Sequence, residues 1–142
     1  MTNSGAYKVV DYMVRSPVYA TLWQPVSFIR QQMLANSFTY LPFLNADGKW
    51  ALVSDYNVAR YLRSRSNRNE LLAKTLDDAI SESDGLKTHL AKVRYAYVTI
   101  EKVLDFFDGK PFLVVRTKNE SDLLRTENEN DLLGILTAFD LL

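Results

Sequence analysis

Gly134-Ile135-Leu136-Thr137-Ala138-Phe139-Asp140 runs small, apolar, apolar, hydroxyl, any residue, aromatic, then Asp or Asn. Ala51-Leu52-Val53-Ser54-Asp55-Tyr56-Asn57 runs the same way earlier in the chain. Pro42-Phe43-Leu44 precedes the earlier stretch and Pro111-Phe112-Leu113 the later one. Two matches in the same order imply two copies of one supersecondary unit. The copies are unequally spaced, because the polar, acidic stretch Arg116–Asp131 lengthens the second. It reads as an extended surface hairpin loop.

Working outward from these motifs, Pro25–Leu34 places Val26, Ile29, Met33 and Leu34 at helical spacing behind a first-turn proline. Its counterpart is Thr99–Phe107, with Thr99 as N-cap and Asp108-Gly109 as the stop. Each helix leads to a short apolar strand opening at or near the repeated proline, Leu41–Leu44 or Pro111–Val115. A turn and a second apolar strand follow, Trp50–Val53 or Leu132–Leu136, so each pair reads as a hairpin. The second strand enters a helix at the hydroxyl residue, giving Asp55–Arg63 in one copy and the last residues in the other. Leading strands are expected at Val18–Thr21 and Arg94–Val98, a connecting helix at Asn69–Ile80 and a turn at Ser81–Gly85.

The fold class is therefore α/β (α+β), built from two β-α-β-β-α units. The first spans residues 10–66, the connecting helix and turn 67–85, and the second 86–142. Neither unit is long enough for a good core alone, so the two are expected to pack as one globule. The second copy stops at Leu142, two residues past the motif's Asp140, whereas the first copy's helix runs to about Arg63. Either the final helix is short or the sequence is a module cut from a longer protein.

Composition narrows the function classes. The 142 residues hold 17 Lys plus Arg against 17 Asp plus Glu, so no net charge drives non-specific binding to nucleic acid or a membrane surface. No Cys is present, which removes disulfides, thiolate catalysis and sulfur-ligated zinc, and a lone His89 removes a histidine-rich metal site. No apolar run reaches transmembrane length and no secretory leader is visible, so a cytoplasmic location is expected. The sequence lacks a phosphate loop, a Gly-x-Gly-x-x-Gly turn, a nucleophile elbow and a His-Glu-x-x-His motif. No enzyme is expected, and no cofactor is required.

The repeated units resemble a pair of CBS domains, the modules named after cystathionine beta-synthase. The likeness rests on Gly134–Asp140, on the weaker Ala51–Asn57 with Ala, Ser and Asn in place of Gly, Thr and Asp, and on Leu41-Pro42-Phe43 and Pro111-Phe112-Leu113. It implies a compact module with a pseudo-two-fold axis that commonly dimerises. It also implies a cleft between the units for an adenosine-containing ligand such as AMP, ADP, ATP or S-adenosylmethionine, through which an unknown partner protein is regulated.

The residues agree with that implication. A helix entered directly from a strand offers free N–H groups and a positive dipole end to an anion. Thr137 can cap that turn or donate to a phosphate, and Asp140 can accept two hydrogen bonds from a ribose diol. On the resemblance, Tyr97, Val98, Pro111 and Phe112 line the base pocket. By symmetry Ser54, Asn57, Val18 and Pro42 form a second, poorer site, since Asn57 accepts through its carbonyl oxygen alone and brings no charge. The competing reading of both motifs is a helix capping box with no ligand. The alternative function is accordingly a ligand-free dimerisation or partner-docking module, and a third is a small enzyme turning over a nucleotide.

Two surface features are read as solvated. Arg60, Arg63, Arg65 and Arg68 crowd a helix end, where cations suit the dipole, and the acidic residues after Asn119 form a solvated loop. Tyr95 and Tyr97 place aromatic side chains on one strand face, and His89 is expected to be exposed.

Overall fold

The computed structural model describes residues 7–95, 98–115 and 132–142. The acidic stretch Arg116–Asp131 and the candidate base-pocket residue Tyr97 lie outside the described residues. The chain divides into two compact units, one comprising Val18–Leu90 and the other the segment up to Pro17 together with the chain from Ala91.

In the Val18–Leu90 unit, α1 (Val26–Asn36) buries Val26, Ile29 and Met33 and stops where Ser37 takes a left-handed conformation. Strands β2 (Tyr40–Leu44) and β3 (Trp50–Ser54) pair antiparallel with Leu41 opposite Val53 and Phe43 opposite Ala51. Asn45 closes their turn by accepting the Asp47 and Lys49 N–H groups at 3.0 and 2.9 Å, and Gly48 supplies the positive φ of 75°. Strand β3 leads straight into α2 (Asp55–Arg63), which buries Val58, Tyr61 and Leu62 at i, i+3 and i+4. Two short helices follow, α3 (Arg68–Ala73) and α4 (Leu76–Ser81), and then β4 (His89–Leu90), which pairs antiparallel with β3. The core of this unit includes Ile29, Leu41, Phe43, Val53, Leu71 and Leu76.

The other unit holds β1 (Val14–Arg15), β5 (Lys92–Tyr95), α5 (Glu101–Leu104), β6 (Phe112–Val115) and β7 (Leu132–Leu136). It ends in a 3-10 segment, Ala138–Leu141. Its sheet order is β1-β7-β6-β5, with β5 parallel to β6 and the other pairs antiparallel. Val9, Met13, Val103, Phe112, Val114 and Leu136 form its core.

The expected α+β class and the hairpins are present, and the differences have local causes. The division differs from the expected 10–66, 67–85 and 86–142. Val14 pairs with Ile135 and Leu52 with His89, so each repeat donates the short strand preceding its own leading segment to the other repeat's sheet. The leading strand expected at Val18–Thr21 shrinks to one parallel bridge, Ala20 to Phe43. Thr21 N–H donates to Gln24 Oε1 at 2.8 Å and turns the chain away at once. The connecting helix breaks at Lys74-Thr75 because backbone there serves the segment before α1. Lys74 O accepts Val26 N–H at 2.8 Å, and Leu76 N–H donates to Gln24 O at 2.8 Å. Thr75 then starts α4 by accepting the Asp78 N–H at 3.1 Å.

The helix expected over Thr99–Phe107 is reduced to α5. Its end is lost because Asp105–Phe107 leave the α ladder for tighter turns, Phe106 N–H donating to Val103 O at 3.0 Å. At its start Thr99 bridges Lys8, and the Ile100 N–H, which a helix leaves free, donates to Tyr7 O at 3.0 Å. The leading strand Arg94–Val98 is displaced toward the N terminus, to β5. Among the described residues no helix is long and apolar enough to cross a membrane.

Candidate functional site

The two motif copies become two strand-to-helix corners. At the first, Ser54 is buried and its Oγ accepts the Asn57 N–H at 3.1 Å, capping α2. The half-buried Asn57 side chain puts Nδ2 3.3 Å from His89 Nε2, a hydrogen bond in the tautomer that leaves the lone pair on Nε2. His89 is therefore half-buried in β4 and paired with this corner, where an exposed position was expected. Its sheet neighbour is Leu52, two residues before Ser54, a pairing that no local pattern of residues announces. Pro42 is buried opposite Leu52 in the same hairpin, and Val18 is exposed.

At the second corner, Asp140 turns back on its own cap. Its Oδ2 accepts the Thr137 N–H at 2.8 Å and the Thr137 hydroxyl at 3.1 Å. One oxygen of the expected ribose acceptor is thus engaged by the capping arrangement. Phe112 pairs with Leu136 in register, so Pro111 and Phe112 lie at the Thr137 end of the sheet. The Phe112 ring sits in the unit's core, 4.7 Å from the Phe107 ring and 5.2 Å from the Arg94 guanidinium. Val98 packs against the same core and its carbonyl accepts the Val9 N–H at 2.9 Å.

Beside the first corner lies a feature the sequence reading did not assemble, an open cavity of about 540 Å³ within the Val18–Leu90 unit. Asn57, Arg60, Tyr61 and Arg65 form one wall, and the Ser83–Gly85 turn with Lys87 forms the other. Gly85 is required in that turn, since a Cβ there would fall 2.2 Å from Ala79 O, and Asp84 beside it holds a φ of 56°.

Behind the cavity, Glu82 gathers three donors. Lys74 Nζ lies 2.6 Å from Oε1, Tyr61 Oη donates to Oε1 at 2.9 Å, and Arg65 bonds Oε2. Lys74, then Arg65, hold the Glu82 carboxyl down at about 2 against the opposing effect of burial. Burial, reinforced by the Glu82 hydrogen bond, pushes the Tyr61 phenol up to about 12. Part of the expected solvated arginine cluster is therefore organised: Arg65 is ion-paired, and Arg60 lies 5.8 Å from the Tyr56 ring centre. Among the described residues no group of three or more His, Cys, Asp or Glu is placed to hold a metal ion.

No family model matches the sequence, and no curated protein matches it. Solved structures do share the fold. The CBS-pair protein CBSX2 from Arabidopsis thaliana is 19% identical with a TM-score of 0.64, over 96% of this chain and 92% of its own. A structure of CBSX2 in complex with AMP matches at 18% and 0.63, over 95% and 93%. Hypoxic Response Protein I, solved with two coordinated zinc ions, is 17% identical with a TM-score of 0.64, over 94% and 95%. A Methanocaldococcus jannaschii protein described as a candidate archaeal homologue of g-AMPK reaches 0.69 at 16% identity, over 96% of this chain and 46% of its own. At these identities the likeness is one of fold, and the chain has the fold of a tandem CBS-domain pair.

Proposed function

We propose that the chain is a non-catalytic regulatory module that senses an adenosine-containing nucleotide, AMP, ADP, ATP or S-adenosylmethionine. The observation that carries this reading is the repeated corner, an apolar strand passing into a helical turn at Ser54 or Thr137 with Asn57 or Asp140 three residues on. Such a corner offers N–H groups to an anion and a side-chain acceptor to a ribose hydroxyl. The fold shared with CBSX2, a protein solved with AMP, adds support. The module works as a homodimer on an unknown partner protein, and nucleotide shifts its conformation by the difference in affinity for the two arrangements.

One observation favours ligand-free docking as the second reading: Asp140 Oδ2 already accepts two bonds from Thr137, which a ribose must displace or share. Thermal unfolding with each of the four ligands separates the readings. A nucleotide at 100 times its Kd stabilises the chain by about 2.7 kcal/mol. The expected result is stabilisation by at least one of them, with affinity reduced more by Asp140→Ala than by Asn57→Ala. No stabilisation by any of the four sinks the sensing role and leaves the docking module.

A further inference from the structure

The cavity beside α2 has a one-sided charge. Arg60, Arg65 and Lys87 face it against one carboxylate, Asp84. Among the described residues Arg60 and Lys87 have no ion-pair partner. Arg65 differs, since Glu82 anchors it, yet a guanidinium carries five N–H donors and one carboxylate leaves some of them for a ligand. Ser83 adds a hydroxyl from the turn, while the Ser64 hydroxyl is already donated to Tyr61 O at 2.6 Å. The set combines two planar forks suited to phosphate oxygens with one point charge and one neutral donor. About 540 Å³ is in the range of small-molecule sites and more room than one phosphate needs.

We infer that this cavity binds a diphosphate or longer phosphate chain, with Arg60 and Lys87 as its free cations and Arg65 as the pre-positioned one. The source is either free pyrophosphate or the phosphate chain of a nucleotide. Asn57 belongs to the cavity wall and to the first corner alike, so the second source rests on the nucleotide reading and favours ADP and ATP over AMP and S-adenosylmethionine in this unit.

Isothermal titration of the full chain with sodium pyrophosphate, ADP and adenosine tests the inference. The comparison set is the wild type, the double variant Arg60→Ala with Lys87→Ala, and a control, Arg63→Ala with Arg68→Ala, which removes equal charge from the end of α2 and the start of α3, outside the cavity lining. The expected result is pyrophosphate binding that weakens with added salt. The cavity variant should lose about tenfold or more in affinity for two lost charge-assisted contacts, with its ligand-free melting temperature unchanged, while the control stays near wild type. No pyrophosphate binding, or equal loss in both variants, overturns the cavity site. Pyrophosphate binding that depends on Arg60 and Lys87, with neither ADP nor adenosine bound, upholds the site and counts against the nucleotide reading. Adenosine bound without pyrophosphate does the reverse.

Discussion

At the corner after β3 the Ser54 hydroxyl caps α2 and the Asn57 amide is left to meet His89, whereas at the corner after β7 the Asp140 carboxylate is drawn back onto Thr137. The segments that follow explain the contrast. Helix α2 is fastened by Val58, Tyr61 and Leu62, all buried, so its first turn needs one cap and Asn57 keeps its side chain for another contact. The 3-10 segment Ala138–Leu141 buries no residue, so its own cap is what holds it and the acidic side chain is consumed there. One motif therefore serves two purposes, according to how much apolar surface the following turn can bury.

The comparison can be broken first through the cores beneath each corner. Phe43→Ala and Phe112→Ala each remove a side chain 1% exposed and should each cost about 3–5 kcal/mol in urea unfolding. A cost below about 1 kcal/mol for Phe112→Ala would show that its ring is not core and reopen it as a ligand surface. The next effect concerns the first motif position. At Gly134 a Cβ would meet Met13 Sδ at 2.5 Å and Val14 O at 2.9 Å, because β1 packs there. Gly134→Ala should therefore cost about 1–3 kcal/mol by overpacking, against about 0.5–1 kcal/mol for Ala51→Gly. Equal small effects from the two exchanges would remove the asymmetry.

The caps come next. Ser54→Ala should lower global stability by about 1 kcal/mol. Asp140→Ala should cost less and appear as faster amide exchange confined to Ala138–Leu142, since that segment holds no fully buried residue and packs only the partly buried Leu141 on the core.

The smallest effect is the pH dependence that Glu82 and Tyr61 give the Val18–Leu90 unit. Glu82 titrates near 4.5 when unfolded and is held at about 2 when folded, so its contribution is complete above pH 4.5 and is lost as pH falls toward 2. Tyr61 has the opposite sign: its contribution is complete below pH 10 and is lost as pH rises toward 12. Stability of Glu82→Gln measured across both windows should be flatter than wild type. An unchanged profile would show that the three donors around Glu82 do no net work.

Much of this architecture is readable from residue patterns because those patterns are local. The first hairpin, α1 and α2 follow from short apolar runs around Asp47-Gly48, from helical spacing and from the hydroxyl at the strand-to-helix corner, all close together in the chain. The misread elements depend on distant backbone. Nothing between Asn69 and Ile80 signals that Lys74 O will serve Val26, and nothing near Thr99 signals Lys8. The corner residues Ser54, Asn57, Thr137 and Asp140 were legible through repetition. The Glu82 network and the cavity were not, because Tyr61 in α2 and Arg65 just beyond its end carry no mark of a carboxylate that arrives after two further helices.

The exchanged edge strands also set a timetable for synthesis. All of Val18–Leu90, including β4, is available once Leu90 has left the ribosome, so this unit can close while the rest is still being made. Val14 and Arg15 emerge before any of it and must wait for their partners until Gly134 and Ile135 have been made. A strand made before the whole Val18–Leu90 unit is thus paired only after it. During that interval its open edge is the part of the nascent chain most exposed to pairing with the wrong neighbour.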